Sequence, residues 1–316
     1  MKKILSFFTV ILALSLCLGG CGTGGNSNMN SNKNSVVYDD TQNKTENTGS
    51  NENSMGGSQV ESNPLETEKK DNSESAAAEL KTATYTVEGV DFKMILVEAG
   101  TFTMGSDNTN VAFSESPAHK VTLTKDYLMG ETEVTEALWN AVMGNGGSSN
   151  TQPKTSITWK EAHTFADRLT KIAREQGIIS ENVSFRLPTE AQWEFAAKGG
   201  NLSRGYLYSG SNDIDEVAVT YENSGSNSPM GVKTKAPNEL GLYDMSGNAY
   251  EWVDDYGGDY SSADQTDPQN TSGRNYVKRG GSNYHSFSSE PYLFTNTGRY
   301  FYGSTDWTIG MRLCLY

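Results

Sequence analysis

Residues 185–197 read FRLPTEAQWEFAA, and residues 241–252 read GLYDMSGNAYEW. In the first stretch, Thr189 and Gln192 form the Thr-x-x-Gln pattern that caps a helix N-terminus. The side chain of each of these residues satisfies the backbone N–H of the other. Apolar residues follow the pattern, and Gly199 ends it. We therefore predict a helix that begins after Thr189.

Two further segments upstream carry helix signals of the same kind. Residues 158–161 (TWKE) form a second capping box, and the residues behind it are apolar at helical spacing as far as Gly177. Thr135 is the expected N-cap of a helix over residues 136–143, with Gly144 at its C-terminal end. The sequence thus predicts about three helices.

Short strands are predicted between and after these helices. They are expected at Lys93–Val97, Phe102–Met104, Lys120–Leu123, Tyr276–Arg279 and Ile309–Leu315. Elsewhere the chain is rich in Gly, Ser and Asn and has few long periodic runs. The pattern predicts an α+β domain that is rich in irregular loops.

More motifs flank the two opening stretches in a definite order. They are MILVEAGTFTMG at 94–105, ETEVT at 131–135, RGGS at 279–282 and GMRL at 310–313. Taken together, the motifs resemble those of the formylglycine-generating enzyme (sulfatase-modifying factor) family over about residues 92–315. The resemblance implies that family's fold, a large variant of the C-type-lectin-like fold. It does not imply an activity, because some members of the family are not enzymes and display a variable ligand-binding surface.

The oxidases of this family hold a copper ion between two cysteines that follow the Gly-Gly-Ser segment. Aligned from residues 280–282, the matching positions here are His285 and Glu290. The chain has no cysteine between residues 22 and 313, so a shifted alignment does not supply the soft thiolates that Cu(I) needs. Ser282 matches a serine of the enzyme pocket, but a serine alone does not hold Cu(I). We therefore expect no copper, and we interpret His285 and Glu290 as loop residues in preference to a site for another metal.

The resemblance also implies a structural calcium ion. Its ligands would be the side chains of Asp244 and Glu251 and the backbone carbonyls of Gly247 and Ala249. Calcium takes 6–8 hard oxygen ligands of these kinds, and a glycine lets a loop curl around them. The alternative is a turn whose carboxylates cap backbone amides. The acidic residues that follow, at 254, 255 and 259, are expected to form a solvated loop.

Residues 283–307, which we call the aromatic segment, are the expected functional face. Fifteen of its 25 residues are Asn, Tyr, His, Ser, Phe or Asp, and its rings follow neither a strand nor a helix period. Tyrosine gives contact area at low entropic cost and Ser and Asn give adaptable hydrogen bonds, as in antibody loops. The predicted ligand contacts are Asn283, Tyr284, His285, Phe287, Tyr292, Asn296, Tyr300, Phe301, Tyr302 and Asp306. Phe294 and Trp307 are expected to pack inward.

The same composition is typical of family lipoproteins whose C-terminal Asn codons are diversified by retroelements. The resemblance therefore adds the hypothesis that the aromatic segment is diversified. The expected ligand is a protein or a glycan. Nucleic acid is excluded as a partner because the chain carries a net charge of −14, and phosphate binding needs a basic face.

The N-terminal part of the chain predicts export and anchoring. Residues 1–20 have two lysines, an apolar run too short to cross a bilayer, and the tripeptide Leu-Gly-Gly before Cys21. This resembles a bacterial lipoprotein signal that leaves Cys21 as the lipidated N-terminus. Residues 21–83 hold 11 Asn and 9 Ser and too few apolar residues to form a core, so they are predicted to be a disordered tether. Residues 84–316 are the expected domain, in which Cys314 is expected to be buried.

Three functions fit these features. The first is a lipid-anchored, non-catalytic lipoprotein of the bacterial cell envelope that presents the aromatic segment to a ligand. The second is a formylglycine-generating or related oxidative enzyme. The third is a structural component of a cell-envelope assembly. The missing cysteine pair favours the first.

Overall fold

A computed structural model gives the fold and describes residues 81–108 and 113–316. The expected signal peptide, the lipidation site Cys21 and residues 21–80 of the expected tether lie outside the described residues. Within the described ranges, no helix is long and apolar enough to cross a membrane. The first strand begins at Thr82, so it includes the last two residues assigned to the tether.

The main helices form where the capping signals predict them. α1 spans Glu136–Met143, α2 spans Trp159–Glu175 and α3 spans Glu190–Ala197. Both α2 and α3 begin with a complete capping box, which satisfies two N–H groups that a helix end leaves free. Two single-turn helices, α4 at Ile214–Val217 and α5 at Tyr221–Ser224, were not predicted. The prediction of an α+β domain with three substantial helices is confirmed.

The strands form three small sheets. They are β1 (Thr82–Val87), β2 (Val90–Val97), β3 (Gly100–Met104), β4 (His119–Leu123), β5 (Tyr127–Gly130), β6 (Phe185–Arg186), β7 (Tyr250–Tyr256), β8 (Gln265–Thr266), β9 (Tyr276–Arg279), β10 (Arg299–Tyr302), β11 (Ile309–Met311) and β12 (Cys314–Leu315). The sheet orders are β1-β2-β5-β12-β6, β10-β9-β7-β11 and β3-β4-β8. Pairing is antiparallel except where β11 lies beside β7 and β8 beside β4.

The predicted strand over residues 309–315 is divided between two sheets. β11 pairs with β7 in the second sheet, whereas β12 runs between β5 and β6 in the first. The chain changes sheets at Arg312, whose guanidinium donates to the carbonyl oxygens of Gly130 and Tyr243 at 2.8 Å each. A buried arginine needs such partners, so the strand breaks where its side chain must reach them.

The core lies on both sides of the first sheet. α1 and the apolar face of α2 pack over one side, where the rings of Trp139 and Phe165 stack with centroids 4.9 Å apart. α3 packs over the other side through Trp193 and Phe195, both almost completely buried. Burial of a large apolar side chain contributes about 1.5–3 kcal/mol, so these contacts fix α3 firmly. Cys314 is buried as expected.

Candidate ligand-binding face

The aromatic segment begins and ends on the second sheet, and α3 anchors its base. Arg279 ends β9, and Arg299 starts β10 directly opposite it. Arg299 donates from Nε and Nη2 to the two oxygens of Glu190, at 2.7 Å each. Arg279 donates to Glu194, one turn further along the helix. Bidentate, charge-assisted hydrogen bonds of this kind fix the orientation of the two arginines on α3, so both ends of the loop between β9 and β10 are firmly held.

Arg279 also holds the interior of the segment itself. Its Nη1 donates to the carbonyl oxygens of Asn296 and Gly298, at 3.2 and 2.9 Å. Burial opposes ionisation of Glu194, but Lys198 and Arg279 outweigh that cost and hold its pKa at about 2. The carboxylate therefore stays charged, and the arginine stays in place, at any physiological pH.

Three rings of the segment are exposed: Tyr284, Tyr302 and Trp307 are 48%, 38% and 46% exposed. Tyr284 and Trp307 meet edge to face, with ring centroids 4.6 Å apart. The prediction that Trp307 packs inward is wrong. Asp306 accepts hydrogen bonds from the amide and hydroxyl of Thr308, and this local turn leaves Trp307 on the outside. We call these three residues the exposed patch.

Two other exposed apolar residues are hydrogen-bonded to the aromatic segment through their backbones. Of the residues that the structure describes, the large apolar side chains that are exposed are Leu202, Leu207, Tyr221, Tyr284, Tyr302 and Trp307. The amide of Tyr221 donates to the carbonyl of His285, and the amide of Asn296 donates to the carbonyl of Leu207. All but Leu202 therefore belong to the aromatic segment or are hydrogen-bonded to it.

Six of the predicted contact residues are half-buried: His285, Phe287, Tyr292, Tyr300, Phe301 and Asp306. These side chains pack against the fold as well as facing outward. Tyr300 lies 6.0 Å from the buried ring of Tyr250, and Phe287 lies 6.4 Å from Phe294. Phe294 is fully buried, as the sequence predicted. These side chains therefore support the shape of the face and offer only part of their area to a ligand.

Two predicted contact residues, Asn283 and Asn296, are almost completely buried. Their side-chain amides donate to the carbonyl oxygens of Ser226 and Tyr206, at 3.1 and 2.9 Å. A buried amide needs such partners, and these hydrogen bonds join the segment to two other loops. In this conformation both asparagines act inside the fold and do not form part of its surface.

Glu222 of α5 organises the first turn of the segment and was missed by sequence analysis. Its carboxylate accepts from the hydroxyl of Ser286 at 2.6 Å and from the amides of Phe287 and Ser288 at 3.0 and 3.1 Å. Burial is the largest single effect and raises its pKa, but the hydrogen bonds together outweigh burial and bring the pKa to about 2. More than 60 residues separate the partners, so no local sequence signal marks the contact.

An ammonium group of the protein itself lies among the rings. Lys278 of β9 places Nζ 3.9 Å from the ring centroid of Tyr250 and 4.9 Å from that of Tyr302. Asp306 Oδ2 is 3.5 Å away, and the lysine side chain is 9% exposed. Burial lowers the pKa of Lys278, while Asp306 opposes that shift. The arrangement is a cation held between two aromatic faces and a carboxylate.

The positions that correspond to the copper ligands carry an ordinary polar contact. His285 Nδ1 and Glu290 Oε2 lie 3.1 Å apart at the edge of the face, and the ring of Tyr250 is 5.5 Å from that of His285. Ser282 is completely buried. Among the described residues, no group of three or more His, Cys, Asp or Glu side chains is placed to hold a metal.

The residues of the expected calcium site are close together but differently engaged. Glu251 accepts from Arg312 and from the indole of Trp193, so both its oxygens are occupied. Asp244 is buried; its Oδ2 accepts the amide of Lys233, and its Oδ1 has no partner in the described part of the chain. As arranged, the set does not fit a calcium ion, because the guanidinium holds the carboxylate that the ion would use. The calcium ion that the resemblance implies stays a prediction of the sequence alone, and it requires the ion to displace Arg312 from Glu251.

The prediction of a solvated acidic loop holds for Asp259, which is exposed outside any strand, but is wrong for the two acidic residues before it. Asp254 and Asp255 lie in β7, and Asp255 is buried. Its oxygens accept the backbone amides of Glu190 and Asn270, at 2.8 and 2.6 Å. It thereby caps the start of α3, which needs an acceptor there. Burial, together with the Glu190 carboxylate, raises the pKa of Asp255 to about 7.

Comparisons with known proteins agree with this architecture. The family model described as "Sulfatase-modifying factor enzyme 1-like domain" matches residues 80–315. The solved structure of Treponema denticola variable protein 1 superimposes with a TM-score of 0.63 and 30% sequence identity, covering 74% of this chain and 98% of that one.

Two curated relatives extend the comparison. Chaperone protein LppX of Paenibacillus barcinonensis is 31% identical over 203 residues, which are 50% of this chain and 70% of that protein. The formylglycine-generating enzyme of Mus musculus is 26% identical over 249 residues, 60% of this chain and 66% of the enzyme. The similarity thus includes a catalytic relative and proteins whose names indicate other roles.

Proposed function

The chain belongs to the sulfatase-modifying factor enzyme 1-like family, and from that premise we propose that it is a ligand-binding protein of the bacterial cell envelope and not an oxidase. Two relatives support a role of this kind: one is named a variable protein and the other a chaperone. The ligand is a protein or a glycan that contacts the exposed patch.

The observation that carries the proposal is the location of the exposed apolar side chains. Five of the six in the described ranges lie on the aromatic segment or are hydrogen-bonded to it. Soluble proteins keep large apolar patches off their surface unless the patch binds something. Buried ion pairs with α3 hold the base of the aromatic segment, which lowers the entropic cost of binding.

The chemistry at the pocket positions argues against oxidation. His285 and Glu290 stand where the family's oxidases carry two cysteines, and residues 22–313 contain no cysteine. Cys314 is buried in β12, in a different sheet from the aromatic segment. A thiolate pair for Cu(I) is therefore missing from this face.

We further propose that Cys21 is lipidated and that residues 22–80 link the membrane to the domain. A chain of about 60 residues has an r.m.s. reach of roughly 40–45 Å if it is flexible. That length would hold the exposed patch clear of the lipid headgroups. The composition of residues 283–307 supports the further proposal that the segment is diversified by a retroelement.

The direct test compares binding by the full chain with binding by a variant that carries Tyr284→Ala, Tyr302→Ala and Trp307→Ala. Both are applied to the same arrays of glycans and of bacterial and host surface proteins. We expect specific signals that the triple variant loses and that Leu202→Ala, an exposed apolar control outside the segment, keeps. Equal signals from all three proteins would contradict the proposal.

The enzymatic alternative is tested separately. The full chain is incubated with copper, O₂ and a peptide that carries the sulfatase cysteine motif. We expect no aldehyde product by mass spectrometry, because no thiolate pair holds the metal. Turnover above a copper-only control would establish the oxidase and remove the non-catalytic proposal.

A second candidate is a chaperone of the cell envelope, favoured by the similarity to LppX and by the exposed patch. A chaperone binds unfolded chains through apolar surface and so suppresses their aggregation. The test is light scattering from a thermally unfolding client enzyme. Suppression that the triple variant loses would support this role over recognition of one specific ligand.

A further inference from the structure

We propose that the exposed patch recognises a cationic side chain, an arginine or a lysine on the surface of a protein ligand. This inference rests on the proposed ligand-binding function and names the chemistry of the partner. It selects a basic protein surface over a glycan.

The first support is the ammonium group that already lies at the patch. Lys278 Nζ is held 3.9 Å from the ring centroid of Tyr250 and 4.9 Å from that of Tyr302, with Asp306 beside it. Aromatic faces attract cations through the negative charge over the ring, most strongly where water is excluded. Tyr302, a ring of the exposed patch, thus already contacts the protein's own cation in the way that we assign to the ligand's, while the buried Tyr250 lies on the inner side.

The second support is the sign of the exposed charges. Within residues 283–307 the charged side chains are Glu290, Arg299 and Asp306. Arg299 is buried on Glu190, and Lys278 of β9 pairs with Asp306, so Glu290 is the charge of the segment that no cation of the described face neutralises. Glu222 adds a third carboxylate at the first turn. A partner with basic side chains therefore complements the face, and an acidic one is repelled.

The third support is the open pair of rings beside these charges. Tyr284 and Trp307 meet at an interplanar angle of 75° and are each about half exposed, so aromatic surface is left for a ligand. Tryptophan is the best of the aromatic residues at binding cations, and Asp306 precedes Trp307 in the chain. Arginine, whose planar guanidinium stacks on rings and pairs with carboxylates, fits both features.

The test uses two tripeptides that differ only in charge, acetyl-Gly-Arg-Gly-amide and acetyl-Gly-citrulline-Gly-amide. The full chain is prepared in detergent with ¹⁵N-labelled tryptophan, and the indole N–H signal of Trp307 is assigned from its loss in Trp307→Leu. We expect the arginine peptide to shift this signal in a saturable way at millimolar concentration. The citrulline peptide should bind at least about threefold more weakly, the size of one exposed cation–π contact.

Two variants make the outcome specific to the rings. Trp307→Leu keeps an apolar side chain but removes the ring. Because this variant has no Trp307 signal, its binding is followed in uniformly ¹⁵N-labelled protein through the backbone amides of residues 283–286. We expect its affinity for the arginine peptide to fall to that of the citrulline peptide. Lys278→Met keeps the side-chain volume but removes the ammonium group that pairs with Asp306, and we expect it to bind the arginine peptide about threefold more tightly.

Equal binding of the two peptides, or no binding of either to the unmodified chain, would overturn the inference. So would a Trp307 shift produced by a panel of neutral methyl glycosides and not by the arginine peptide; that result would leave the ligand-binding function intact with a glycan as partner. Loss of array binding in the alanine triple variant, measured independently, distinguishes failure of this inference from failure of the proposed function.

Discussion

Arg312 and Glu251 form a completely buried ion pair in which Arg312 Nη2 lies 2.7 Å from Glu251 Oε1 and Nε lies 3.0 and 3.1 Å from the two carboxylate oxygens. The pair joins β7 to the chain between β11 and β12, where the two larger sheets meet. Trp193 of α3 donates to the same carboxylate. The ion pair therefore fixes the sheet from which the aromatic segment rises, relative to the helix that anchors its base.

Replacing one partner should be costly. Arg312→Met keeps most of the side-chain volume but leaves Glu251 charged and unpaired in the interior. We expect the free energy of unfolding to fall by about 3–5 kcal/mol. The measurement is urea unfolding at pH 7. Lys171→Met, which removes an exposed pair with Glu175 on α2, is the control and should change stability by less than about 0.5 kcal/mol.

The same ion pair leads to a clear expectation about calcium. The carboxylate of Glu251 is neutralised by Arg312, and of the carboxylate oxygens expected to bind calcium only Asp244 Oδ1 lacks a partner in the described part of the chain. We expect the melting temperature to stay within about 2 °C when EGTA replaces 1 mM calcium, since one free carboxylate oxygen is far from a full coordination sphere. A calcium-dependent rise of several degrees, lost in Asp244→Ala, would show that the ion displaces the guanidinium and forms the site that the resemblance implies.

Stability should decrease as the pH rises through neutrality, because of Asp255. Burial and the nearby Glu190 raise its pKa to about 7, against about 3.9 in an unfolded chain. Its contribution is fully present below pH 4 and is lost as the pH rises through 7, by roughly 2–4 kcal/mol. The measurement is urea unfolding between pH 5 and pH 8.

Asp255→Asn is the control for this effect. The variant should be less stable at every pH, because an amide NH₂ faces a backbone donor. Its stability should nevertheless change less between pH 5 and pH 8. Asp244, whose pKa is raised to about 6, keeps part of the slope in both proteins. If stability changed with pH equally in the unmodified chain and in Asp255→Asn, Asp255 would be ionised in the folded protein from pH 5 to pH 8, and the prediction would be wrong.

Much of this fold follows from local signals in the sequence. The capping boxes at residues 158–161 and 189–192 depend on contacts within a single turn, so they set the starts of α2 and α3 wherever the rest of the chain lies. Two-residue strands such as β6 and β8 carry no such signal. They form because a neighbouring strand offers hydrogen bonds, and that neighbour is distant in sequence.

The candidate site was predicted as a segment but not residue by residue. Composition identified residues 283–307, because a run of rings without a period is typical of neither a helix nor a strand. Which rings face outward depends on tertiary contacts: a two-residue turn at Asp306 exposes Trp307, and hydrogen bonds to distant loops bury Asn283 and Asn296. The ammonium group beside the Tyr250 ring belongs to Lys278, which lies outside the segment and is positioned by β9.

Glu222 should be required for the order of the first turn but not for overall stability. Its hydrogen bonds to residues 286–288 hold its pKa at about 2, so the contact is present at neutral pH and is lost only as the pH falls through 2. We expect Glu222→Gln to speed hydrogen exchange at the Phe287 and Ser288 amides by about fivefold at pH 7, because a neutral acceptor is weaker. The melting temperature should stay within about 2 °C.

Glu216→Gln is the matched control for this prediction. Glu216 is also exposed and also accepts a serine hydroxyl at 2.6 Å, from Ser211, but it makes no hydrogen bond to the aromatic segment. Exchange at residues 286–288 should be unchanged in this variant. Equal acceleration in both variants would mean that surface charge, and not the contact itself, orders the turn.

Cys21 should carry the lipid, and Cys17 provides an internal control. Both cysteines lie in the N-terminal region, but only Cys21 follows Leu-Gly-Gly, while Cys17 lies within the apolar run of residues 4–18. We expect cells grown with an alkyne fatty acid to label the unmodified chain and Cys17→Ala but not Cys21→Ala. The labelled protein should enter the detergent phase of a Triton X-114 separation. Because one acyl chain gives only marginal membrane binding, stable partitioning there would indicate more than one chain on Cys21. Label retained in Cys21→Ala would place the lipid elsewhere and remove the proposed anchor.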